Sequence, residues 1–219
     1  MTRKTLLLLC FMLLAFLFVN PINSTKISVF RITESPAVIT KGHYGTSLVV
    51  EISFSDEHLS EWLTTLKEPY PLLLLDADWI ERSSKQMEII LKKKIPTGLL
   101  GSNYPEDESL NVDLLNKEIA IYKKHFAANP LWFTTRDHQY SKDLQQTLFE
   151  REINILSPSI LWQGNKTAPS LQKGDFLFVS LHEDRKVSFN LLNDLLQKNS
   201  FISIEENIFG YSIQSKKTP

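Results

Sequence analysis

Residues 47–59 read SLVVEISFSDEHL, and this stretch decides the fold. The run from Leu48 to Phe54 is almost continuously apolar, which is typical of a strand buried on both faces of a parallel sheet. The run stops at Ser55, an acidic cluster follows, and Leu59 opens a helical pattern. Because parallel strands all open toward one side, we expect the acidic cluster at the carboxyl-end rim of a β/α architecture.

The same alternation of strand and helix patterns continues along the chain. Strands are predicted near KISVFRI, SLVVEISF, PLLLLD, PTGLLG, LWFTT, INILS, DFLFVSL and FISI. Apolar residues at helical spacing predict helices from Leu59, Leu115, Ser141 and Phe189, and a further helix capped by Ser83. This order predicts a mostly parallel sheet covered by helices, either an open doubly wound sheet or a closed barrel.

The N-terminal segment differs in composition from the rest. Two basic residues precede an unbroken apolar run from Leu6 to Val19, and polar residues follow it. That order is typical of an export signal, and the run is shorter than the roughly 20 residues that a membrane span needs. We therefore predict a signal peptide or N-terminal membrane anchor at residues 1–24, an N-terminal extension at 25–46 and a β/α barrel domain at 47–219.

Composition excludes several classes of function. The 219 residues, 42% hydrophobic and 22% charged, can bury the core of one or two domains. The single cysteine, Cys10, lies in the apolar N-terminal run, so an exported chain has no thiolate for a zinc site or a nucleophile. Formal net charge is -1, and no basic stripe indicates nucleic acid. We expect an extracellular or cell-surface protein that contacts membrane only through its N-terminal segment.

Charged or imidazole side chains follow five predicted strands in succession. Any one of them is also explained by a surface loop or a helix N-cap. The opposite ends of the strands hold few acid–base groups, and parallel strands would gather all five sets at one rim. The sets are Asp56 and His58; Asp76 and Asp78; Asn103, Glu106 and Asp107; Arg136, Asp137 and His138; and His182, Glu183 and Asp184.

The order of these motifs resembles the polysaccharide deacetylase (NodB-homology) family over roughly residues 45–208. The resemblance implies a distorted (β/α) barrel that removes acetyl groups from chitin, peptidoglycan or xylan with a divalent metal. SFSDE aligns with the family motif T-F-D-D-G, which implies Ser55 in place of the general base and Asp56 at a metal-ligand position. VSLHED resembles I-L-L-H-D, which implies that His182 occupies the position of the assisting general acid.

Two other motifs of the family are altered in this chain. Where the family has H-[ST]-x-x-x-H, the sequence GSNYPED offers Asn103 and Asp107 instead of two imidazoles. Where the family has F-R-P-P-x-G, the sequence WFTTRDH places Thr134 at the position of the arginine and Arg136 two residues later. The resemblance therefore implies the scaffold more strongly than it implies the active site.

These replacements change the chemistry that the resemblance implies. Ser55 cannot act as a base at neutral pH without a group that activates it, and loss of a general base typically slows a reaction about 10²–10⁴-fold. The set Asp56, Asn103 and Asp107 is a hard oxygen site, which suits Ca or Mg better than Zn. We therefore expect either no cofactor or a weakly bound divalent metal ion.

The favoured interpretation is a deacetylase-like protein that is catalytically impaired or inactive. It would bind cell-wall polysaccharide or peptidoglycan, or a partner, at the barrel rim. Its substrate-binding residues would be Arg136, Tyr104 and Trp162, and the catalytic positions would be the residual acid His182 and the base replacement Ser55. Whether the chain is an enzyme stays open at this point.

Two enzymatic alternatives use the same rim. An active metal-dependent carbohydrate deacetylase with rewired ligands would coordinate its metal through Asp56, Asp107 and either His58 or His138. A glycosidase would need two carboxylates on either side of a sugar groove. The carboxylate pair would come from Asp56, Asp76, Asp78 and Glu183, although Asp78 could instead cap the helix that begins near Trp79.

Overall fold

One parallel sheet of eight strands organises the chain. The computed structural model describes residues 32–54, 58–104, 109–164, 168–182 and 187–210. The strand order is β1-β6-β5-β4-β3-β2-β8-β7, every neighbouring pair is parallel, and the sheet curls into a half-barrel. The strands are β1 (Val38–Ile39), β2 (Ser47–Ile52), β3 (Leu72–Asp76), β4 (Thr97–Gly101), β5 (Trp132–Thr135), β6 (Asn154–Leu156), β7 (Ile160–Trp162) and β8 (Phe176–Leu181).

Helices follow most of these strands and cover the outer face of the sheet. The five predicted helices are confirmed, and none of the helices in the described ranges is long and apolar enough to cross a membrane. The predicted signal or anchor at residues 1–24 lies outside the described residues. The helices are α1 (Leu59–Thr65), α2 (Ala77–Arg82), α3 (Ser84–Lys93), α4 (Val112–Phe126), α5 (Lys142–Glu150), α6 (Phe189–Lys198) and α7 (Ile204–Phe209).

Three short elements differ from the sequence expectation. The stretch FISI was predicted as a strand, but it contributes only an isolated bridge between Thr46 and Phe201 and then the start of α7. Residues 160–162 form the edge strand β7, and Val38–Ile39 form the other edge, β1, from the segment predicted as an extension. The predicted strand KISVFRI lies almost wholly outside the described residues.

The sheet buries apolar side chains on both of its faces. Alternate residues of a strand point to opposite faces, so Val50 and Ile52 belong to the cluster beneath the helices, while Val49 belongs to a smaller inner cluster. Strand β2 is buried along its whole length, as the continuous apolar run predicts. By the same alternation, Glu51 lies on the inner face beyond Val49, toward the carboxyl end.

The amino-end side of the inner face is closed by α7 and the chain that precedes it. Ile204 joins the inner cluster, and Trp132 Nε1 donates to Glu205 Oε1 at 3.0 Å. Asn207 is fully buried, and its Oδ1 accepts from the backbone N–H of Gly45 at 3.1 Å. A Cβ on Gly42 would lie 2.4 Å from Asn207 Oδ1, so this approach requires glycine. The carboxyl ends of the strands therefore form the open side.

Candidate functional site at the carboxyl ends of the strands

A buried carboxylate, Glu51, lies on the inner face of the sheet near its carboxyl end. Its side chain has 0% exposure. Its Oε2 accepts a hydrogen bond from the hydroxyl of Ser180 on the neighbouring strand β8, and its Oε1 lies 2.6 Å from Nε2 of His138. A buried carboxylate is strongly destabilising unless it is paired or hydrogen-bonded, so these two side chains stabilise its burial.

His138 reaches Glu51 from a loop that follows β5, which we call the crossing loop (residues 136–140). The backbone N–H of His138 donates to the carbonyl oxygen of Thr135 at 3.2 Å, so the loop turns tightly at the end of β5. Strands β2 and β5 are three positions apart in the curled sheet, and the side chain of His138 extends across the inner face to Glu51. His138 has a φ of 56°, which is uncommon for a residue with a side chain. Its ring meets Phe178 edge-on, with centroids 5.8 Å apart. The crossing loop therefore covers part of the inner face.

A second contact ties the crossing loop to β3. The Arg136 guanidinium forms an ion pair with Oδ2 of Asp76, the last residue of β3. Oδ1 of Asp76 accepts from the backbone N–H of Trp79 at 2.9 Å, so Asp76 is the N-cap of α2. This corrects the suggestion that Asp78 caps the helix, because Asp78 is an exposed residue of the first turn. Both carboxylate oxygens of Asp76 are thus occupied.

The far end of the crossing loop is held by buried hydroxyl groups. Tyr140 donates its hydroxyl hydrogen to the carbonyl oxygen of Leu156 at 2.9 Å and accepts from Thr134 Oγ1 at 2.7 Å. Burial raises the pKa of Tyr140 to about 12. Thr135 Oγ1 donates to the carbonyl oxygen of Gln139 at 3.0 Å. The loop is therefore anchored at both ends and in the middle.

A serine–histidine contact lies at the neighbouring strand exits. The Ser53 hydroxyl is hydrogen-bonded to Nδ1 of His182, and the two residues follow the adjacent strands β2 and β8. Arg82 Nη2 donates to the carbonyl oxygen of Ser53 at 2.6 Å. His182 is partly exposed, so its imidazole borders the open end of the half-barrel. Its role as an acid stays a prediction.

The predicted metal ligands are only partly described by the structure. Ser55, Asp56 and Asp107 lie outside the described residues, and Asn103 is exposed in the loop after β4. Within the described ranges, no group of three histidine, cysteine, aspartate or glutamate residues could hold a metal ion. Two of the described carboxylates at these strand ends are already paired, Asp76 with Arg136 and Glu51 with His138. Neither of these two carboxylates is free to hold a metal ion in this arrangement.

Tyr104 and Trp162, predicted as sugar-binding aromatics, lie inside the protein. Tyr104 is 2% exposed, and its hydroxyl donates to Glu118 Oε2 at 2.6 Å. Trp162 is 6% exposed and belongs to β7 rather than to a loop. Arg136 differs from both, because its side chain is 40% exposed at the rim. Of the three predicted sugar contacts, Arg136 is the one that presents its side chain to solvent.

The sequence analysis missed two buried carboxylates. Glu118 accepts from the backbone N–H and the hydroxyl of Ser102, and burial raises the pKa of Glu118, opposed by these hydrogen bonds and by that of Tyr104. Its sequence signal is its place three residues after Leu115 on the buried face of α4. The signal for Glu51 is a single acidic residue inside the apolar run LVVEI.

Comparisons with known proteins confirm the predicted fold. No protein-family model matches the sequence, and no curated protein matches it. Several solved structures do. The CE4 family pseudoenzyme BA3943 from Bacillus anthracis has a TM-score of 0.65 and 15% identity, over 79% of this chain and 69% of that one. The Bc1960 peptidoglycan N-acetylglucosamine deacetylase has a TM-score of 0.66 and 14% identity, over 78% and 92%.

A fungal enzyme shares the same architecture. The chitin deacetylase from Colletotrichum lindemuthianum has a TM-score of 0.61 and 12% identity, over 81% of this chain and 93% of that one. At these identities the likeness establishes the fold, a distorted (β/α) barrel of the polysaccharide deacetylase type. The set contains active deacetylases and a pseudoenzyme, so the fold by itself is compatible with either.

Proposed function

We propose that this chain is an exported, non-catalytic protein of the deacetylase fold that binds cell-wall glycan at its carboxyl-end rim. The observation that carries the proposal is the pairing of Glu51 with His138 and of Asp76 with Arg136. Both described carboxylates on the inner face are thereby occupied by the crossing loop. Export is supported by the basic and apolar order of residues 1–24.

Energetics favour the loss of catalysis. Leaving a buried polar group without its hydrogen-bond partner is destabilising by about 1–3 kcal/mol, and by more when the group is charged. Freeing Glu51 from His138 to act as a base would therefore slow the reaction about tenfold or more, since each 1.36 kcal/mol is tenfold. The sequence adds a second obstacle, because Ser55 stands where the family has its base.

Glycan binding requires hydrogen-bonding side chains at the surface but no free base or metal, and such side chains lie at the rim. Arg136, Asn103 and His182 present exposed or partly exposed hydrogen-bonding groups around the open end of the half-barrel. Such groups pair with the hydroxyl and acetamido groups of a polysaccharide. The structural neighbours that are described as peptidoglycan and chitin deacetylases favour cell-wall polymers as the ligand class. No cofactor is needed for this role.

The test separates catalysis from binding on one preparation of residues 25–219. Elemental analysis should find far less than one transition metal per chain, and acetylated chitooligosaccharides and peptidoglycan should release no acetate. Pull-down on insoluble chitin and on peptidoglycan should retain the protein. Stoichiometric zinc together with turnover would instead establish the deacetylase with rewired ligands. Failure to bind either polymer would refute the glycan-binding role.

A further inference from the structure

A groove runs along the outside of the half-barrel between helices α1 and α6. It consists of an upper cavity of about 480 Å³ and a lower cavity of about 890 Å³. Thr65 of α1 and Asn193 of α6 line both cavities, so the two are continuous at these residues. Each volume lies within the roughly 300–1,000 Å³ of ordinary ligand pockets. We call the combined feature the α1–α6 groove.

The upper cavity opens beside the candidate site. His58 lies at the amino end of α1, after strand β2, and Ser188 lies at the amino end of α6, after strand β8. These are the two strands whose exits carry Ser53 and His182. A chain-like ligand at the rim could therefore continue into the α1–α6 groove.

The lining of the upper cavity is polar and carries little charge. Among the described residues that line it, Glu61 is the one acidic side chain and none is a lysine or an arginine. An apolar ligand would leave its amides, hydroxyls and carboxylate without partners, which is unfavourable. A neutral ligand with many hydroxyl groups satisfies them. The polar lining residues include His58, Glu61, Thr65, Ser188, Asn190 and Asn193.

Two aromatic rings form part of the wall of the upper cavity. Trp62 is 2% exposed, and its indole Nε1 has no accessible surface, so the part of the ring that borders the cavity is carbon. Phe189 also lines the cavity, and its ring contacts that of Trp62 with centroids 5.6 Å apart. Apolar ring surface beside amide and hydroxyl groups suits a sugar ring, which has an apolar face and polar edges.

We propose that the α1–α6 groove binds a neutral oligosaccharide, which extends the glycan contact from the rim onto the outer face of the half-barrel. The proposal rests on the proposed glycan-binding function and gives it a location. The lower cavity adds apolar surface from Leu196 and Phe201 and amides from Gln197 and Asn199. It also contains one described side chain of each charge, Lys67 and Glu68, which offset each other. Such a mixture of apolar surface and hydrogen-bonding groups matches the two faces of a sugar ring.

The experiment titrates residues 25–219 with N-acetylchitotetraose and with soluble peptidoglycan strands by calorimetry. Asn193→Trp fills the junction of the two cavities and should raise the Kd about tenfold or more. Asn116→Trp makes the same substitution at an exposed position of α4 and should leave the Kd unchanged. Thr65→Trp blocks the junction from the opposite wall and decides the question if Asn193→Trp does not fold.

The outcomes separate the two proposals. Tight binding by wild type and by both junction variants overturns the groove and leaves glycan binding at the rim intact. No binding by wild type to either saccharide overturns both proposals. Loss of binding in the junction variants, with the Asn116→Trp control unaffected, supports the groove. Thermal unfolding of each variant shows that any loss is not a loss of folding.

Discussion

Glu51 is the residue on which the arrangement of the rim depends. An isolated carboxylate in a protein interior is destabilising by several kcal/mol, and here Ser180 of β8 and His138 of the crossing loop offset that penalty. His138 is held in the left-handed region in order to make its contact. Strain of this kind persists only where surrounding contacts impose it. The Glu51–His138 pair therefore fixes the path of the crossing loop.

Removal of His138 should be strongly destabilising. His138→Ala leaves Glu51 with Ser180 as its described partner, so the free energy of unfolding should fall by about 3 kcal/mol. His138→Gly should lose about 1 kcal/mol less, because glycine adopts a φ of 56° without the steric penalty of a Cβ. Urea unfolding measures both, with exposed Gln139→Ala as a control expected within about 0.5 kcal/mol of wild type. Equal losses for alanine and glycine would contradict the conformational argument.

Glu118 should give stability a dependence on pH. Its pKa is raised in the folded protein from an ordinary 4.5, mainly by burial. Between 4.5 and the raised value the folded state binds more protons than the unfolded state, so the free energy of unfolding falls as pH rises. Glu118→Gln carries no charge and lacks this fall. The free energy of unfolding of the wild type should therefore decrease relative to that of Glu118→Gln as pH rises above about 4.5.

Urea unfolding at several pH values between 4 and 7 measures this difference, with a slope of at most about 1.4 kcal/mol per pH unit for one group. Glu88→Gln, on the exposed side of α3, is the matched control and should follow wild type. Parallel stability curves for wild type and Glu118→Gln would show that burial does not raise the pKa of this carboxyl group.

Among the elements, α1 depends on a neighbouring helix for its carboxyl end. Lys93, the last residue of α3, donates from Nζ to three carbonyl oxygens, those of Leu63 at 3.2 Å, Thr64 at 2.6 Å and Leu66 at 2.7 Å. The last carbonyl groups of a helix have no partner inside the helix, and they carry its partial negative charge. One ammonium group therefore completes α1 and joins it to α3.

Replacement of Lys93 by methionine keeps the aliphatic stem and removes the ammonium group. The free energy of unfolding should fall by about 1–2 kcal/mol, because the carbonyl groups at the end of α1 lose their donor and the favourable charge. Lys92→Met removes the same charge from the preceding, exposed position and should change stability by less than about 0.5 kcal/mol. Chemical unfolding of both proteins decides the matter. Equal effects would mean that bulk charge, rather than the three-carbonyl contact, matters here.

The order of strands and helices was predictable because each is a local pattern. In the run LLLLD, four apolar residues are followed by Asp76, which caps the next helix, so the sequence predicts where the strand ends. The failure at FISI has an equally local cause. Ser203 accepts from the backbone N–H of Glu206 at 3.0 Å, so the S-x-x-E signature of a helix start overrode the apolar spacing. The strand prediction counted apolar residues and missed the cap.

The site was less predictable, because its contacts are non-local. The sequence placed Asp76, Arg136 and His138 at strand ends, and the structure shows that they lie near the same edge. That Arg136 pairs with Asp76 and His138 with Glu51 depends on side chains that extend from the end of β5 to β3 and β2. No local propensity encodes that path. Buried acids such as Glu51 leave only a weak signal, a single charge inside an apolar pattern.

For the whole molecule, the half-barrel has one closed end and one open end. Helix α7 and Asn207 close the amino ends of the strands, while the crossing loop covers only part of the carboxyl ends. In parallel β/α proteins the functional residues lie at the carboxyl ends of the strands, because the loops there face a shared space. The described part of the half-barrel therefore keeps the packing that stabilises the fold, while the residues that the resemblance aligns with the family's chemistry lie around the open end.

An intact scaffold predicts that catalysis can be restored. The triple variant Ser55→Asp, Asn103→His, Asp107→His introduces an aspartate and two histidines at the positions that the resemblance aligns with the family's base and two imidazole ligands. We expect the variant to bind about one zinc per chain, since imidazole suits that metal. Acetate release from acetylated chitooligosaccharides should then rise above the wild-type level.

A matched variant with Ser55→Asn and the same two histidines isolates the base. It should bind zinc equally well and release acetate about 10²–10⁴-fold more slowly, since a neutral amide cannot accept the proton of the attacking water. Elemental analysis and acetate release on both proteins give the comparison. Zinc bound by both with no turnover in either would place the obstacle in the crossing loop, and Arg136→Ala would then be the change that opens it. Absence of zinc in both would show that residues 103 and 107 do not converge with Asp56, and the alignment with the family motifs would be wrong at those positions.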